Sequence, residues 1–342
     1  MNQPSGEFIE MLAVLLGVPV DIVREGVASF CSPNGYSSWK VPKGNGRRRF
    51  IDSPKAPLKQ LQKLILKRLL YRAPISPFAH GFVPGRSIVT NACVHSKTAN
   101  ETVQIDLEDA YPSVSTRRVY NCLEWGLGRY VKDRFPNAST EERQTFFGWL
   151  ADICTHNNCL PQGAPTSGML LNLASARIDR LSSRLVRNRI RDVKHLKYSR
   201  YADDLTFTSS EPIPKDFVEE VILVVLRSGF RVNRRKTEHY GTLSRDIVIC
   251  GVRLRDGKLL LPRKTLRRYR SLFHKSLRYE SHQIPATLQN QINGTLGLLT
   301  MVTATCPIML EKPLQRMLER HSSWLNAAKD NSMELRWMPY AS

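Results

Sequence analysis

Apolar residues recur at helical spacing over residues 8–29, where Phe8, Met11, Leu12, Leu15, Leu16, Val20 and Val23 predict an amphipathic helix or a pair of them. In residues 39–54 the pattern changes to short apolar runs on either side of a Gly44-Asn45-Gly46 turn, which predicts a basic β-hairpin with a cationic tip. Helical spacing returns with Leu58, Leu61, Leu64, Ile65 and Leu69. It ends before Ala73-Pro74, because the residue preceding a proline is pushed out of helical backbone geometry. Strand-like runs follow at residues 102–106, 196–201, 205–208 and 247–254, with helical patterns between them, so the centre of the chain is expected to be α+β. Beyond Pro262 the pattern is helical again. Leu266, Tyr269, Phe273 and Leu277 share one face of residues 263–278, and Lys264, Arg267, Arg268, Lys275 and Arg278 the other. Such a helix either lies along a phosphate backbone with its apolar stripe docked on protein, or carries a merely solvated charged face.

Composition narrows the classes of partner. A chain of 342 residues with 42% hydrophobic content can bury a core and is expected to form two or three lobes. Lys and Arg number 51 against 30 Asp and Glu, a formal net charge of +21, which predicts a polyanionic partner. Charge alone leaves open a ribosome- or membrane-associated basic protein. The first apolar stretch follows Glu7 and Glu10 with no basic leader and no small-residue cleavage site, so a cytosolic (cytoplasmic) protein is expected. No apolar run approaches the ~18 residues needed to span a bilayer. Seven scattered cysteines, an odd number, argue for reduced thiols over a disulfide framework. Cys154, His156 and Cys159 cluster as a zinc site would. Without a second ligand pair at finger-like spacing, ordinary packing residues are the better reading.

In so cationic a chain, concentrated carboxylates call for a reason. Asp106-Leu107-Glu108-Asp109 follows the short strand at residues 102–105, which puts Asp106 at a strand end, where side chains project into a cleft. Asp203 and Asp204 interrupt two strand-like runs and so form the tip of a hairpin. Nucleotidyl transfer needs charge neutralised at the attacking, leaving and non-bridging oxygens, which two Mg²⁺ ions about 3.5–4 Å apart achieve as one clamp. Carboxylates from neighbouring strands supply the hard oxygen ligands such ions take. Asp106, Asp203 and Asp204 are therefore the expected catalytic metal ligands. Glu108 and Asp109 are better read as acids complementing a helix start.

Tyr201-Ala202-Asp203-Asp204 resembles the hairpin signature of reverse transcriptases, and Asp106 to Tyr111 resembles their first palm aspartate with its following aromatic. Leu160-Pro161-Gln162-Gly163-Ala164-Pro165-Thr166-Ser167 matches the family's block between them. Gly229-Phe230-Arg231-Val232-Asn233 with Lys236-Thr237, and Cys250-Gly251-Val252-Arg253-Leu254, are similar to the next palm block and to the primer-gripping hairpin. His80-Gly81-Phe82, followed by Asn91-Ala92-Cys93-Val94-His95, resembles elements of the bacterial retron enzymes. Two positions depart from retron habit: Ile249-Cys250-Gly251 stands where those enzymes commonly show VTG, and Gly168 stands where many have proline.

The resemblance implies a right-hand polymerase: N-terminal helices and basic fingers over residues 1–101, a split βαβ palm with intervening fingers segments over 102–261, and a helical thumb over 262–342. It implies RNA-directed DNA synthesis from dNTPs on a cognate structured non-coding RNA. Priming would come from a 2′-hydroxyl, and the RNA-linked DNA would serve phage defence alongside an effector protein. Lys43 and Arg49 would meet the triphosphate, with Gln162 and Gly163 beside the nucleotide. Tyr111 would lie under the sugar and exclude a 2′-hydroxyl, or be a core aromatic. Lys236 would protonate pyrophosphate, or form an ion pair. Asn91 and His95 would have an RNA-related role or be packing residues, and Arg267, Arg268 and Lys275 would bind RNA phosphates. Rival readings are another bacterial defence reverse transcriptase, one making untemplated DNA, a group II intron-like enzyme, and a catalytically silent RNA-binding scaffold.

Overall fold

The computed structural model describes residues 4–42, 48–191, 193–241, 247–255, 257–276, 278–279 and 284–305. Lys43, the Gly44-Asn45-Gly46 turn, Leu277 and the part of the expected thumb beyond residue 305 lie outside them.

The N-terminal pattern resolves into two helices, α1 (Gly6–Leu16) and α2 (Val20–Cys31). Ser5 caps α1 by accepting from the Phe8 amide at 3.3 Å, and Gly17 ends it at φ 61°, a conformation without penalty for glycine. The basic hairpin follows as β1 (Tyr36–Pro42) and β2 (Arg48–Pro54), paired with Trp39 opposite Ile51. Helix α3 (Ala56–Arg68) then packs so tightly on α2 that a Cβ on Gly26 would lie 2.6 Å from Leu61. After a 3₁₀ turn at Leu70–Arg72 comes α4 (Ile88–His95), which opens on a capping box between Ser87 and Thr90.

The centre is β3 (Glu101–Glu108), α5 (Thr116–Arg134), α6 (Thr140–Cys154), α7 (Ser167–Ala174), α8 (Ala176–Arg189), β4 (Lys197–Tyr201), β5 (Asp204–Ser209), α9 (Lys215–Arg227), β6 (Arg231–Val232) and β7 (Glu238–Tyr240). These strands form a sheet in the order β4-β5-β3-β6, with β7 also pairing β3, all antiparallel. Because side chains alternate along a strand, Val103, Ile105 and Leu107 enter the main core behind the sheet. That core also holds Leu123 and Leu127 of α5, Ile178 of α8 and Val221 of α9. Asp106 shares the opposite face with Thr102 and Gln104. On that face α4 sits between the sheet and a small antiparallel sheet of β8 (Ile247–Ile249), β9 (Val252–Arg255) and β10 (Lys258–Leu260). The strand expected over residues 247–254 is thus two strands. Cys250 and Gly251 turn between them with φ of 48° and 81°.

Beyond the strands, α10 (Arg263–Ser276) and α11 (Ala286–Thr305) pack on each other. Leu266, Tyr269 and Phe273 of α10 are buried while Lys264, Arg267, Arg268 and Lys275 are exposed, as the apolar stripe requires.

Candidate active site

The three aspartates meet at one end of the central sheet. Asp106 and Asp204 are direct cross-strand partners in the β3–β5 ladder, and Asp203 lies in the two-residue turn that joins β4 to β5. The Asp203 carbonyl accepts from the Leu107 amide at 3.0 Å, which fastens that turn to β3. Asp106 accepts from Lys236 Nζ at 2.7 Å through Oδ1 and from Asn233 Nδ2 at 3.1 Å through Oδ2. Among the described residues, no three His, Cys, Asp or Glu side chains converge as they stand on a point that would hold a metal ion. The donor chemistry nevertheless fits a divalent cation: three carboxylates gather at one strand end, and one already holds an ammonium group as its counter-charge.

Asp203 and Asp204 carry the cost of that crowding, since neither has the direct ammonium contact that Asp106 has. Burial raises Asp203, and Asp204 is pushed up to about 7, first by desolvation and then by the negative charges of Asp203 and Asp106. A carboxyl with a folded pKa above its unfolded value binds its proton more tightly in the folded state. It therefore favours folding most below its ordinary value of 3.8, and that contribution is lost as pH rises toward 7. In chelator, the wild-type melting temperature is expected to rise relative to Asp204→Asn as pH falls from about 8 to about 5. A difference that stays constant over that range would place Asp204 in an ordinary solvated setting.

A buried polar frame shapes the aspartate turn. Arg200, fully buried, forms a two-point pair with Asp179 of α8, with Nε to Oδ1 at 2.8 Å and Nη2 to Oδ2 at 2.7 Å. Its Nη1 donates to the Ala202 carbonyl at 2.8 Å and to Asn172 Oδ1 at 2.9 Å. Asn172 Nδ2 in turn donates to the Gly81 carbonyl at 2.7 Å, and a Cβ on Gly81 would lie 2.7 Å from the Ala202 nitrogen. Ala202 sits at φ 55°, the first central position of a turn that favours glycine there. The frame holds this residue in its disfavoured conformation. Asp179, Asn172 and Arg200 were not read from the sequence as site residues. The sequence signals for two of them are a lone acid in a helix with five arginines and an arginine inside a strand-like run next to the aspartates; Asn172 has none.

Of the residues expected to meet the nucleotide, Tyr111 and Arg49 lie near the same end. Tyr111 packs partly buried against the main core; desolvation first, and then the charge of Asp203, push its hydroxyl above the ordinary tyrosine range. Arg49, exposed on β2, is close enough for its positive charge to act on both Tyr111 and Asp203. The Gln162 carbonyl accepts from the Asp52 amide at 3.0 Å. Gly163, at φ 135°, would place a Cβ 2.9 Å from the Asp52 carbonyl oxygen, so the close approach it permits is to the hairpin backbone. Gly168 is dictated by Phe82, whose ring atoms lie 2.4–2.7 Å from where its Cβ would be.

Of the two roles open to Asn91 and His95, the structure favours packing, because both are fully buried. His95 Nδ1 pairs with Thr208 Oγ1 at 2.8 Å and Nε2 with Ser199 Oγ at 2.6 Å; Asn91 accepts from Ser199 at 2.7 Å and donates to Cys250 Sγ at 3.4 Å. They tie α4 to the sheet and to the β8–β9 turn. Burial lowers His95 to about 3, so it stays neutral in that role. Cys154 is buried and desolvation pushes its thiol up to about 12, while the His156 ring stacks on Tyr36 at 4.1 Å. These are the contacts of packing residues.

A sheet that brings three aspartates to one end, with a basic hairpin close enough for Arg49 to act on Asp203, has the architecture of a template-dependent polymerase palm. Residues 41–254 match the family described as reverse transcriptase (RNA-dependent DNA polymerase). The chain is 35% identical over 313 residues to the Retron Mx162 reverse transcriptase of Myxococcus xanthus, covering 85% of this chain and 63% of that protein. It is 36% identical over 282 residues to the Retron Mx65 reverse transcriptase of the same organism, covering 79% and 63%. With the Retron Ec86 reverse transcriptase of Escherichia coli it shares 30% over 258 residues, covering 75% and 71%. The chain belongs to the reverse transcriptase family and is of the retron type, with the α+β right-hand polymerase fold. It spans 63% of the length of the two Myxococcus relatives. No helix among the described residues is long and apolar enough to cross a membrane.

Proposed function

We propose that this protein is an RNA-directed DNA polymerase that extends a primer on a cognate structured RNA, with Asp106, Asp203 and Asp204 as the metal-holding catalytic residues. The observation that carries this reading is the direct pairing of Asp106 with Asp204 across β3 and β5, with Asp203 in the adjoining turn. Bound to these carboxylates, two Mg²⁺ ions would neutralise charge at the attacking and leaving oxygens. Lys236 serves as the counter-charge of Asp106 and keeps that carboxylate oriented. Arg49, and Lys43 beyond the described residues, receive the triphosphate of the incoming dNTP, and Gln162 and Gly163 fix the hairpin that carries them. Arg267, Arg268 and Lys275 hold nucleic-acid phosphates on the exposed face of α10. Residues 1–101, 102–261 and 262–342 act as fingers, palm and thumb.

Similarity to the retron enzymes extends the reading to a cytoplasmic system in which the product is single-stranded DNA joined to its own RNA and used with an effector protein against phage. Sequencing the RNA and DNA that copurify with the protein tests this. One RNA species covalently joined to DNA complementary to part of itself is the expected result. Copurified RNA without DNA would point to a silent scaffold, and DNA unrelated to the RNA to untemplated synthesis.

Tyr111 distinguishes a DNA-making enzyme from an RNA-making one. With its ring under the sugar, Tyr111→Val opens the space for a 2′-hydroxyl without touching a carboxylate. Steric exclusion of one small group is worth about 1–3 kcal/mol, so ribonucleotide use relative to deoxynucleotide is expected to rise about ten- to two-hundredfold in single-nucleotide extension. An unchanged ratio with a lowered melting temperature would make Tyr111 a core residue only.

A further inference from the structure

Helix α8 sorts its arginines. Arg189 turns toward α9 and pairs with Asp216 at 2.8 Å and with Glu220. Asp179, the lone acid of the helix, is buried against Arg200. Arg177, Arg180, Arg184 and Arg187 are all exposed, and none makes an ion pair among the described residues. At 3.6 residues per turn these four fall within an arc of about 80° and run for about 15 Å along the helix. No carboxylate of α8 lies on that arc.

The ridge begins at a cavity. A pocket of about 620 Å³ opens between α5, α8 and residues 74–78, lined by Phe78, Cys122, Trp125 and Leu173 as well as Arg177 and Arg180. Trp125 is 63% exposed, an unusual setting for so large an apolar ring. This region lies behind the sheet, on the side of Val103, Ile105 and Leu107, and so faces away from Asp106. The exposed face of α10 is a separate feature.

From this ridge and cavity we infer that the back of the palm is a second RNA-binding surface, separate from the catalytic cleft. RNA phosphates run along Arg177, Arg180, Arg184 and Arg187, and one unstacked base enters the cavity against Trp125. A row of uncompensated guanidinium groups matches a row of phosphates, and an exposed aromatic flanked by arginine is the usual platform for an unpaired base. The apolar lining suits the face of a base, with Ser76, Asn121 and Ser183 in the same lining for its polar edge. A chain of net charge +21 has little use for a second copy of itself at such a ridge. The surface would anchor structured RNA outside the copied region and does not depend on the catalytic assignment.

The test uses the full chain, loaded first with a short template–primer duplex to fill the cleft. A labelled RNA hairpin with an unpaired tail is then titrated at several salt concentrations. Replacing Arg177, Arg180, Arg184 and Arg187 together by Gln keeps helix propensity and removes four charges. The salt slope for the hairpin is expected to fall by roughly three, so that affinity changes about fiftyfold less than in wild type between about 50 and about 200 mM salt. Trp125→Ala is expected to weaken the tailed hairpin about five- to a hundredfold and to leave a fully paired duplex unaffected. Extension of the short duplex stays at the wild-type rate in both variants. Unchanged hairpin affinity and slope in the arginine variant would overturn the inference. Loss of short-duplex extension at an unchanged melting temperature would also do so, because the ridge would then serve the cleft. A glutamate-rich peptide that bound more tightly than the hairpin, and only with the ridge intact, would assign the surface to a protein partner instead.

Discussion

Asp203→Asn is expected to lower RNA-templated DNA synthesis by at least about a hundredfold, the scale on which removing a charge-stabilising group from an active site acts. The substitution preserves size and leaves the backbone bond from the Asp203 carbonyl to Leu107 in place. It also removes a half-buried charge whose ionised form is disfavoured, so the folded protein should be no less stable, and in chelator somewhat more so. RNA affinity should stay near the wild-type value, because the exposed cations of α10 and the hairpin are untouched. The combination is diagnostic: loss of synthesis with retained melting temperature and retained RNA binding. Residual synthesis above about a tenth of wild type would remove Asp203 from the metal-holding set.

The second large effect concerns the frame behind the turn. Arg200→Met leaves Asp179 buried with its charge unpaired, and breaking a buried pair by removing one partner typically costs about 3–5 kcal/mol. Asp179 would keep one donor, the Tyr198 hydroxyl at 2.7 Å. Denaturant unfolding should therefore show a loss of that size. Pairing the change with Asp179→Leu removes the orphaned charge and should recover much of the stability. It does not restore the donor to the Ala202 carbonyl or to Asn172, so the double variant is expected to fold and still extend primers poorly. A single variant within about 1 kcal/mol of wild type, or a double variant with full activity, would show that the turn holds its shape without Arg200.

What the sequence made legible was what local pattern encodes. The helical spacing of Phe8 to Val23, the alternating runs around the aspartates and the apolar stripe of Leu266, Tyr269 and Phe273 each correspond to an observed element. Two Pro and Gly features refined the outcome: Pro19 separates the first two helices, and the Cys250-Gly251 turn divides the last strand-like run. What stayed hidden depends on contacts between distant parts of the chain. The sequence leaves Asn91 and His95 between an RNA-related and a packing role, because nothing local reveals that Ser199 and Thr208, more than a hundred positions on, enclose them. Gly168 looked like a departure from habit until Phe82 was seen to occupy its missing side chain's space. The arginines of α8 read as general positive charge. Only folding separates Arg189, which is paired, from the four that are not.

The central claim is most directly tested by extending a DNA primer on an RNA template of defined sequence, with dNTPs and Mg²⁺, using the full chain and its Asp203→Asn counterpart. The account predicts DNA complementary to the template from the wild-type protein, and at most a trace from the variant at equal RNA binding. Product from a well-folded wild-type protein that ignored the template sequence, or equal synthesis by both proteins, would contradict it.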